Sequence, residues 1–178
     1  MNASEYLEQH WNKKQVWRNL QTPKHQERLS RCVRPLVGQS FVDVGCAAGH
    51  STSIMAGFKP GAWTGIDFHK PTIEKARVNF PEIQFIHLDK VYELSGFVFD
   101  SVVCSEVIEH AEDPHELAAC LWHMTNNVLV VTTPCVKVDD PGHLRLFDEA
   151  MIADVFHGIP YTVERAPRFF YVIARRPE

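Results

Sequence analysis

Long apolar runs are missing from this chain of 178 residues, in which 45% of the residues are hydrophobic and 22% are charged. No stretch approaches the ~20 consecutive apolar residues that a membrane-spanning helix needs. The first residues also lack the basic-then-apolar order of a secretory signal peptide. The composition therefore predicts a cytoplasmic globular protein with one buried core and no membrane partner.

Paired cysteines are missing as well. The five cysteines form an odd set, and no two of them are spaced as C-x-x-C. This pattern argues against a disulfide framework and against a zinc site built from thiolates. We interpret most of the cysteines as small core residues.

The chain also has no block of consecutive basic residues, although residues 1–37 carry seven Lys and Arg against three Glu. Charge therefore gives no support to nucleic acid as a partner. The basic residues Lys24, Arg28 and Arg31 are candidates for contacting an anionic group on a bound ligand. The alternative is an ordinary solvated helix surface.

Short β-branched runs alternate with amphipathic segments along the chain, which predicts a parallel sheet with helices on both faces. The predicted parallel strands are Ser40–Cys46, Ala62–Phe68, Ile83–Asp89, Phe99–Ser105 and Asn127–Thr133. The last two runs, Tyr161–Arg165 and Phe169–Arg175, are too close together to hold a crossover helix. They predict a hairpin whose final strand is antiparallel to the others, giving a Rossmann-like three-layer sandwich with seven strands. Two further helices are predicted before the first strand, at Glu5–Leu20 and Lys24–Leu36.

The turn after the first strand reads VDVGCAAGHST, and in such folds the ligand lies at this turn. The dinucleotide fingerprint would need glycine where this chain has Gly45, Ala47 and His50. An imidazole replaces the glycine that packs the helix on the strand, which weakens a nicotinamide-dependent oxidoreductase as an interpretation.

Four stretches in order, VDVGCAAG, GIDFHKPTIEKAR, FIHLD and FDSVVCSEVIEHAEDP, resemble the class I S-adenosylmethionine-dependent methyltransferase family. At EVIEHAEDP the chain is similar to ubiquinone-biosynthesis O-methyltransferases. The resemblance implies residues 38–178 as a methyltransferase domain and residues 1–37 as its helical cap, within a single domain overall. It also implies S-adenosylmethionine as the cofactor and S-adenosylhomocysteine as the product.

The resemblance assigns a set of residues to the cofactor. Gly45 and Gly49 would let the backbone approach its methionine part, Asp43 would orient the turn, and Asp67 would accept both ribose hydroxyls. The alternative for Asp67 is a helix cap. Ala47 stands where glycine is usual, and it is tolerable if its φ is negative. The full set is Asp43, Gly45, Cys46, Ala47, Gly49, Asp67, Phe68, Asp89 and Ser105.

The segment Ser105–His110 leaves the fourth strand towards the transferred methyl group, and Glu106, Glu109 and His110 share one side if the turn is helical. They are the catalytic candidates, because a histidine titrates near neutral pH and His110 can act as general base for a hydroxyl acceptor. The structural alternative is that Glu109 and His110 only cap and orient the next helix.

A divalent metal bound by Glu106, Glu109, His110 and His143 is a less favoured alternative. The E-x-x-E-H spacing with a later histidine is similar to small-RNA terminal 2′-O-methyltransferases, but the sheet-forming part is acidic here. Small acceptors are therefore preferred over RNA.

The segment after the fifth strand offers His143 and Arg145 for an anionic group on the acceptor, unless Arg145 pairs with Asp140. A protein that binds the cofactor and transfers nothing also stays open.

Overall fold

The computed structural model describes residues 22–138, 140 and 142–177, and they form a seven-stranded sheet with helices on both faces. The strands are β1 (Ser40–Val44), β2 (Ala62–Asp67), β3 (Gln84–His87), β4 (Phe99–Ser105), β5 (Thr125–Pro134), β6 (Tyr161–Arg165) and β7 (Phe169–Arg175). The helices are α1 (Pro23–Val33), α2 (His50–Phe58), α3 (Lys70–Asn79), α4 (Pro114–His123) and α5 (Glu149–Val155). Short 3₁₀ turns cover Val91–Gly96 and Ile108–His110.

The strand order is β3-β2-β1-β4-β5-β7-β6. The first five strands pair in parallel, and β7 enters antiparallel between β5 and β6. The predicted fold class is therefore confirmed, including the terminal hairpin with its reversed strand. The predicted strand bounds differ from those observed by at most two residues at either end.

Side chains alternate between two cores, one on each face of the sheet. In β1, Val42 and Val44 belong to one core, where they lie with residues of α4 and α5, and Phe41 belongs to the other, where it lies with residues of α1 and α2. In β4 the neighbours Val102 and Val103 divide in the same way. Because both faces of the central strands are covered, these strands are mostly apolar and show little polar–apolar alternation, whereas the edge strand β6 is largely exposed.

Helix starts follow the capping pattern of the sequence. The Asp113 side chain accepts hydrogen bonds from the N–H groups of His115 and Glu116, and Pro114 takes the first helical position of α4. Asp148 caps α5 by accepting from the Met151 N–H at 2.8 Å. Such caps satisfy N–H groups that have no partner within the helix.

Helix α1 lies against α2 and against β4 and β5. It begins the described part of the predicted helical cap, and it brings Arg28 to the carboxyl ends of the strands. The predicted helix at residues 5–20 lies outside the described residues. Within the described part of the chain, no helix is both long and apolar enough to cross a lipid bilayer.

Candidate active site

The turn between β1 and α2 carries three residues in the left-handed region: Gly45 with φ 82°, Ala47 with φ 46° and Gly49 with φ 82°. A Cβ at Gly45 would lie 2.2 Å from a methyl of Val107, and one at Gly49 would lie 2.6 Å from the Phe85 ring. Glycine is therefore required at both positions by backbone conformation and by packing within the protein.

Ala47 does not meet the condition under which alanine would be tolerated without strain, because its φ is positive. The Ala47 N–H donates a 2.8 Å hydrogen bond to Asp67 Oδ2, and this bond holds the residue in the left-handed region. A left-handed conformation is unfavourable for a residue with a Cβ. The turn thus carries local strain that a glycine would relieve.

Asp67 ends β2 and accepts a second hydrogen bond, from the His69 N–H to Oδ1 at 2.8 Å. Burial raises the pKa of its carboxyl group, against the effect of these two bonds. Each carboxylate oxygen keeps a second acceptor site, so Asp67 can still accept hydroxyl groups of a ligand. Asp67 thus stabilises the turn and also has acceptor sites for a ligand bound there.

Asp43 lies in β1 and is 2% exposed, with its Oδ2 accepting a 2.7 Å hydrogen bond from the Thr52 hydroxyl in the first turn of α2. Burial raises the pKa of Asp43 to about 7. The pair ties the start of α2 to β1.

The remaining cofactor candidates are placed differently from one another. The Cys46 side chain packs with Ile73 and Phe85 in a small core, and its thiol lies 3.7 Å from the Ala47 carbonyl oxygen. Phe68 follows β2 and is partly buried. Asp89 lies two residues beyond β3 with 82% of its side chain exposed.

Ser105 and Glu106 follow β4 and contact Arg28 of α1. The Arg28 guanidinium donates to Ser105 Oγ and lies 3.0 Å from Glu106 Oε2, while Ser105 Oγ and Thr132 Oγ1 are 2.8 Å apart. Arg28 is 3% exposed, and its guanidinium carbon lies 5.6 Å from the centroid of the Phe169 ring. The basic residue Arg31 instead pairs with Glu27 and Glu164 on the surface.

Glu106 does not share a side with Glu109 and His110 as a helical turn would require. Its φ is 57°, and its N–H donates to the Thr132 carbonyl at 2.9 Å. The 3₁₀ turn begins only at Ile108. The left-handed backbone at Glu106 interrupts the predicted helical turn before Glu109 and His110. The Glu106 side chain pairs with Arg28 instead.

Glu109, His110 and His143 form a cluster in which one ligand atom from each lies within 4.8 Å of the others. Of the four residues predicted as a metal set, these three come together and Glu106 is not part of the group. Burial first, and then the Glu106 charge, raises the pKa of Glu109 to about 8. No described residue donates a well-formed hydrogen bond to either carboxylate oxygen of Glu109.

The segment after β5 is fixed to this cluster by backbone groups. His110 Nδ1 lies 2.8 Å from the Gly142 carbonyl, and the Leu144 N–H donates to the Glu109 carbonyl at 3.0 Å. Arg145 donates to the carbonyl groups of Ala111 and Glu112. Its guanidinium is thus held by backbone carbonyl groups, a contact that the sequence did not predict.

Comparison with known proteins agrees with this arrangement. The family model described as a methyltransferase domain matches residues 42–127, from β1 to the start of β5. Over this stretch, just under half of the chain, the sequence is similar to the methyltransferase domain family, which supports a class I S-adenosylmethionine-dependent methyltransferase. The match to this methyltransferase family covers the turn at Gly45, Asp67 and the Glu109–His110 pair.

Two curated relatives illustrate the methyltransferase similarity. The ubiquinone biosynthesis O-methyltransferase of Paracidovorax citrulli (strain AAC00-1) is 34% identical over 87 residues, covering 45% of this chain and 36% of that protein. The trans-aconitate 2-methyltransferase of Enterobacter sp. (strain 638) is 30% identical over 113 residues, covering 62% and 44%. The chain spans less than half the length of these relatives.

Solved methyltransferase structures share the fold. The N-methyltransferase NodS from Bradyrhizobium japonicum WM9, in complex with S-adenosylhomocysteine, matches with a TM-score of 0.77 at 20% identity, over 100% of both chains. The magnesium protoporphyrin IX methyltransferase from Synechocystis PCC 6803 with bound S-adenosylmethionine matches with a TM-score of 0.70 at 17% identity, over 99% and 98%. At these identities the likeness concerns the fold.

Sequence reasoning named candidate residues for the site but not the side chains that contact them. It did not predict the hydroxyl groups of Thr52 and Thr132, which bind Asp43 and Ser105. Threonine is common in buried strands and helix starts, so only the three-dimensional pairing distinguishes these two from core residues.

Proposed function

We propose that the protein transfers a methyl group from S-adenosylmethionine to a small hydroxyl-bearing acceptor, releasing S-adenosylhomocysteine. The observation that carries this proposal is the position of His110, which leaves β4 beside the turn and has one ring nitrogen fixed by the Gly142 carbonyl. The names of the O-methyltransferase relatives support a hydroxyl acceptor.

The residues present fit the cofactor. Asp67 has acceptor sites left for the ribose hydroxyls, and the left-handed turn from Gly45 to Gly49 presents backbone in place of bulky side chains. When bound, the cofactor supplies an electrophilic methyl group on a sulfonium. The protein has then to place the acceptor oxygen in line with that group, and correct positioning can contribute up to ~7–11 kcal/mol.

His110 is suited to remove the proton of the acceptor hydroxyl. A carbonyl oxygen accepts hydrogen bonds only, so neutral His110 donates its Nδ1–H to Gly142 and keeps the lone pair on Nε2. As the acceptor oxygen forms its bond to the methyl carbon, Nε2 takes the hydroxyl proton and later releases it to solvent. The methyl group would leave the sulfonium in the same step, so that S-adenosylhomocysteine would be the product.

A second candidate function is metal-assisted methyl transfer, as in RNA terminal 2′-O-methyltransferases. It is favoured by the cluster of Glu109, His110 and His143, which offers one carboxylate and two imidazoles to a divalent ion. A ligating histidine commonly donates its other ring N–H to a carbonyl, as His110 does to Gly142. The net charge of −4 does not favour RNA as the acceptor.

The first test measures methyl transfer from labelled S-adenosylmethionine to a panel of catechols, phenols and hydroxy acids. His110→Gln should lower kcat by about 10²–10⁴-fold with little change in cofactor affinity, as expected for loss of a general base. His123→Gln, at the exposed end of α4, is the matched control. Tight cofactor binding without turnover on any hydroxyl acceptor would contradict the proposal and favour a binding protein.

The second test separates the two schemes by thermal melts with and without Mn²⁺. The metal scheme requires a shift that Glu109→Gln abolishes and that Glu106→Gln retains, because Glu106 pairs with Arg28 outside the cluster. If Mn²⁺ changed neither the melting temperature nor the rate, the metal scheme would be wrong, and His110 would act as a general base without a bound metal.

A further inference from the structure

The turn between β6 and β7 reaches the same sheet edge as the candidate active site. Phe169 opens β7 and pairs with Pro134, the last residue of β5. The preceding residue, Arg168, accepts a 2.9 Å hydrogen bond at its carbonyl from the Cys135 N–H. The position of Arg168 is therefore fixed against the segment that follows β5.

The Arg168 guanidinium differs from those of the other described arginines in its contacts. The arginines at 28, 31, 34, 77, 145, 165, 175 and 176 each have a hydrogen bond, ion pair or ring contact. Among the residues that the structure describes, Arg168 has no such partner, and its side chain is exposed.

The first half of α1 brings further positive charge to Arg168. His25 and Arg28 are one helical turn apart, and Arg28 lies over the ring of Phe169, the residue after Arg168. Burial lowers the pKa of His25, and Arg28, Lys24 and Arg168 add to the effect while Glu106 opposes it. Two atoms here, His25 Nδ1 and Arg28 Nε, are buried with no hydrogen-bond partner among the described residues.

The charges in this region are unbalanced. Lys24, Arg28 and Arg168 contribute three positive charges near His25, and Glu106 contributes one negative charge that Arg28 already pairs. The remainder of the edge carries the carboxyl groups of Asp43, Asp67 and Glu109, whose pKa values burial raises. A free positive region thus adjoins β4 and β5, on the side of the site away from Asp67.

We propose that Arg168, with His25 and Lys24, binds a carboxylate on the methyl acceptor. The inference rests on the proposed function, since it names which hydroxyl-bearing acceptors the site takes. Asp67 would hold the cofactor ribose near β2, so the acceptor would approach from the β4–β5 side, where Lys24, His25 and Arg168 lie. The carboxylate would hold one end of the acceptor while its hydroxyl group meets His110.

The test uses the protein saturated with S-adenosylhomocysteine and measures binding of benzoate and of the neutral benzamide by ligand-observed NMR. Benzoate should bind about tenfold more tightly than benzamide, since a charge-assisted hydrogen bond distinguishes them. Arg168→Gln should remove about tenfold of benzoate affinity, and His25→Gln a smaller part. Arg165→Gln is the matched control, being an exposed arginine of the same hairpin.

Equal binding of benzoate and benzamide, or absence of benzoate binding, would overturn the inference. An equal loss in Arg168→Gln and Arg165→Gln would do so too, because it would indicate a non-specific charge effect. The measurement requires no methyl transfer. A protein that methylates no hydroxyl acceptor can therefore still pass this test, and one that methylates only neutral acceptors can fail it.

Discussion

Arg28 and Glu106 form an ion pair of 3.0 Å that joins α1 to the end of β4. Arg28 also donates to Ser105 and is almost fully buried, whereas the Glu106 side chain is 31% exposed. The pair has two consequences at once. It anchors the described part of the helical cap, and it holds a left-handed residue at the exit of the strand that leads to His110.

Arg28→Met should lower the free energy of unfolding by about 2 kcal/mol, because it leaves Glu106 without its cation and Ser105 without its donor. Arg31→Met, whose ion pairs are on the surface, should change stability by at most ~0.5 kcal/mol. Urea denaturation of the two variants measures the difference. Similar losses in both would show that the pair does not anchor α1.

Asp67→Asn should weaken binding of S-adenosylhomocysteine by at least about tenfold, since an amide cannot accept at both positions that now face the N–H groups of Ala47 and His69. In wild type, S-adenosylhomocysteine at about a hundred times its dissociation constant should raise the free energy of unfolding by ~2.7 kcal/mol, or Tm by roughly 5–10 °C. NAD should not shift Tm.

Glu74→Gln, on the exposed face of the neighbouring helix α3, should bind S-adenosylhomocysteine like wild type. Calorimetric titration gives both affinities directly. A wild-type protein that takes up NAD and not S-adenosylhomocysteine would contradict the cofactor assignment.

Asp43 should make stability fall as pH rises from about 4 to 7. Its folded-state pKa of about 7 lies above the unfolded value, so the folded state retains a proton that the unfolded state has lost in this range. Asp43→Asn keeps the shape and the Thr52 contact but removes the titration. Denaturation across pH should show a shallower decline for Asp43→Asn than for wild type, and parallel curves would refute the raised pKa.

Much of the fold follows from patterns that are local in sequence. The β-branched runs locate the strands, the short gap between Arg165 and Phe169 predicts the hairpin, and Asp113–Pro114 predicts the start of α4. Each of these depends on backbone geometry that neighbouring residues determine.

The contacts within the site were harder to predict from the sequence, because they join residues that are far apart in the chain. A helical periodicity placed Glu106 with Glu109 and His110, but tertiary contacts with Arg28 and Thr132 put it in the left-handed region. Arg145 likewise donates to backbone carbonyl groups, which sequence spacing did not predict. Sequence spacing identified which residues meet at the sheet edge, and not which of them bind each other.

Ala47→Gly should leave stability unchanged or raise it by up to ~1 kcal/mol. The left-handed alanine costs about 1–2 kcal/mol, and the greater chain entropy of glycine offsets roughly half of the relief. Binding of S-adenosylhomocysteine should be kept, since the Ala47 N–H that donates to Asp67 is retained.

Ala48→Gly is the matched control, because Ala48 is equally buried and does not belong to the residues with positive φ. It should lose about 0.5–1 kcal/mol, the ordinary cost of introducing glycine. Chemical denaturation of the two variants compares them directly. If Ala47→Gly lost as much as Ala48→Gly, the strain assigned to the turn would be absent, and the positive φ at Ala47 would have to be intrinsic to a turn that tolerates a methyl group without cost.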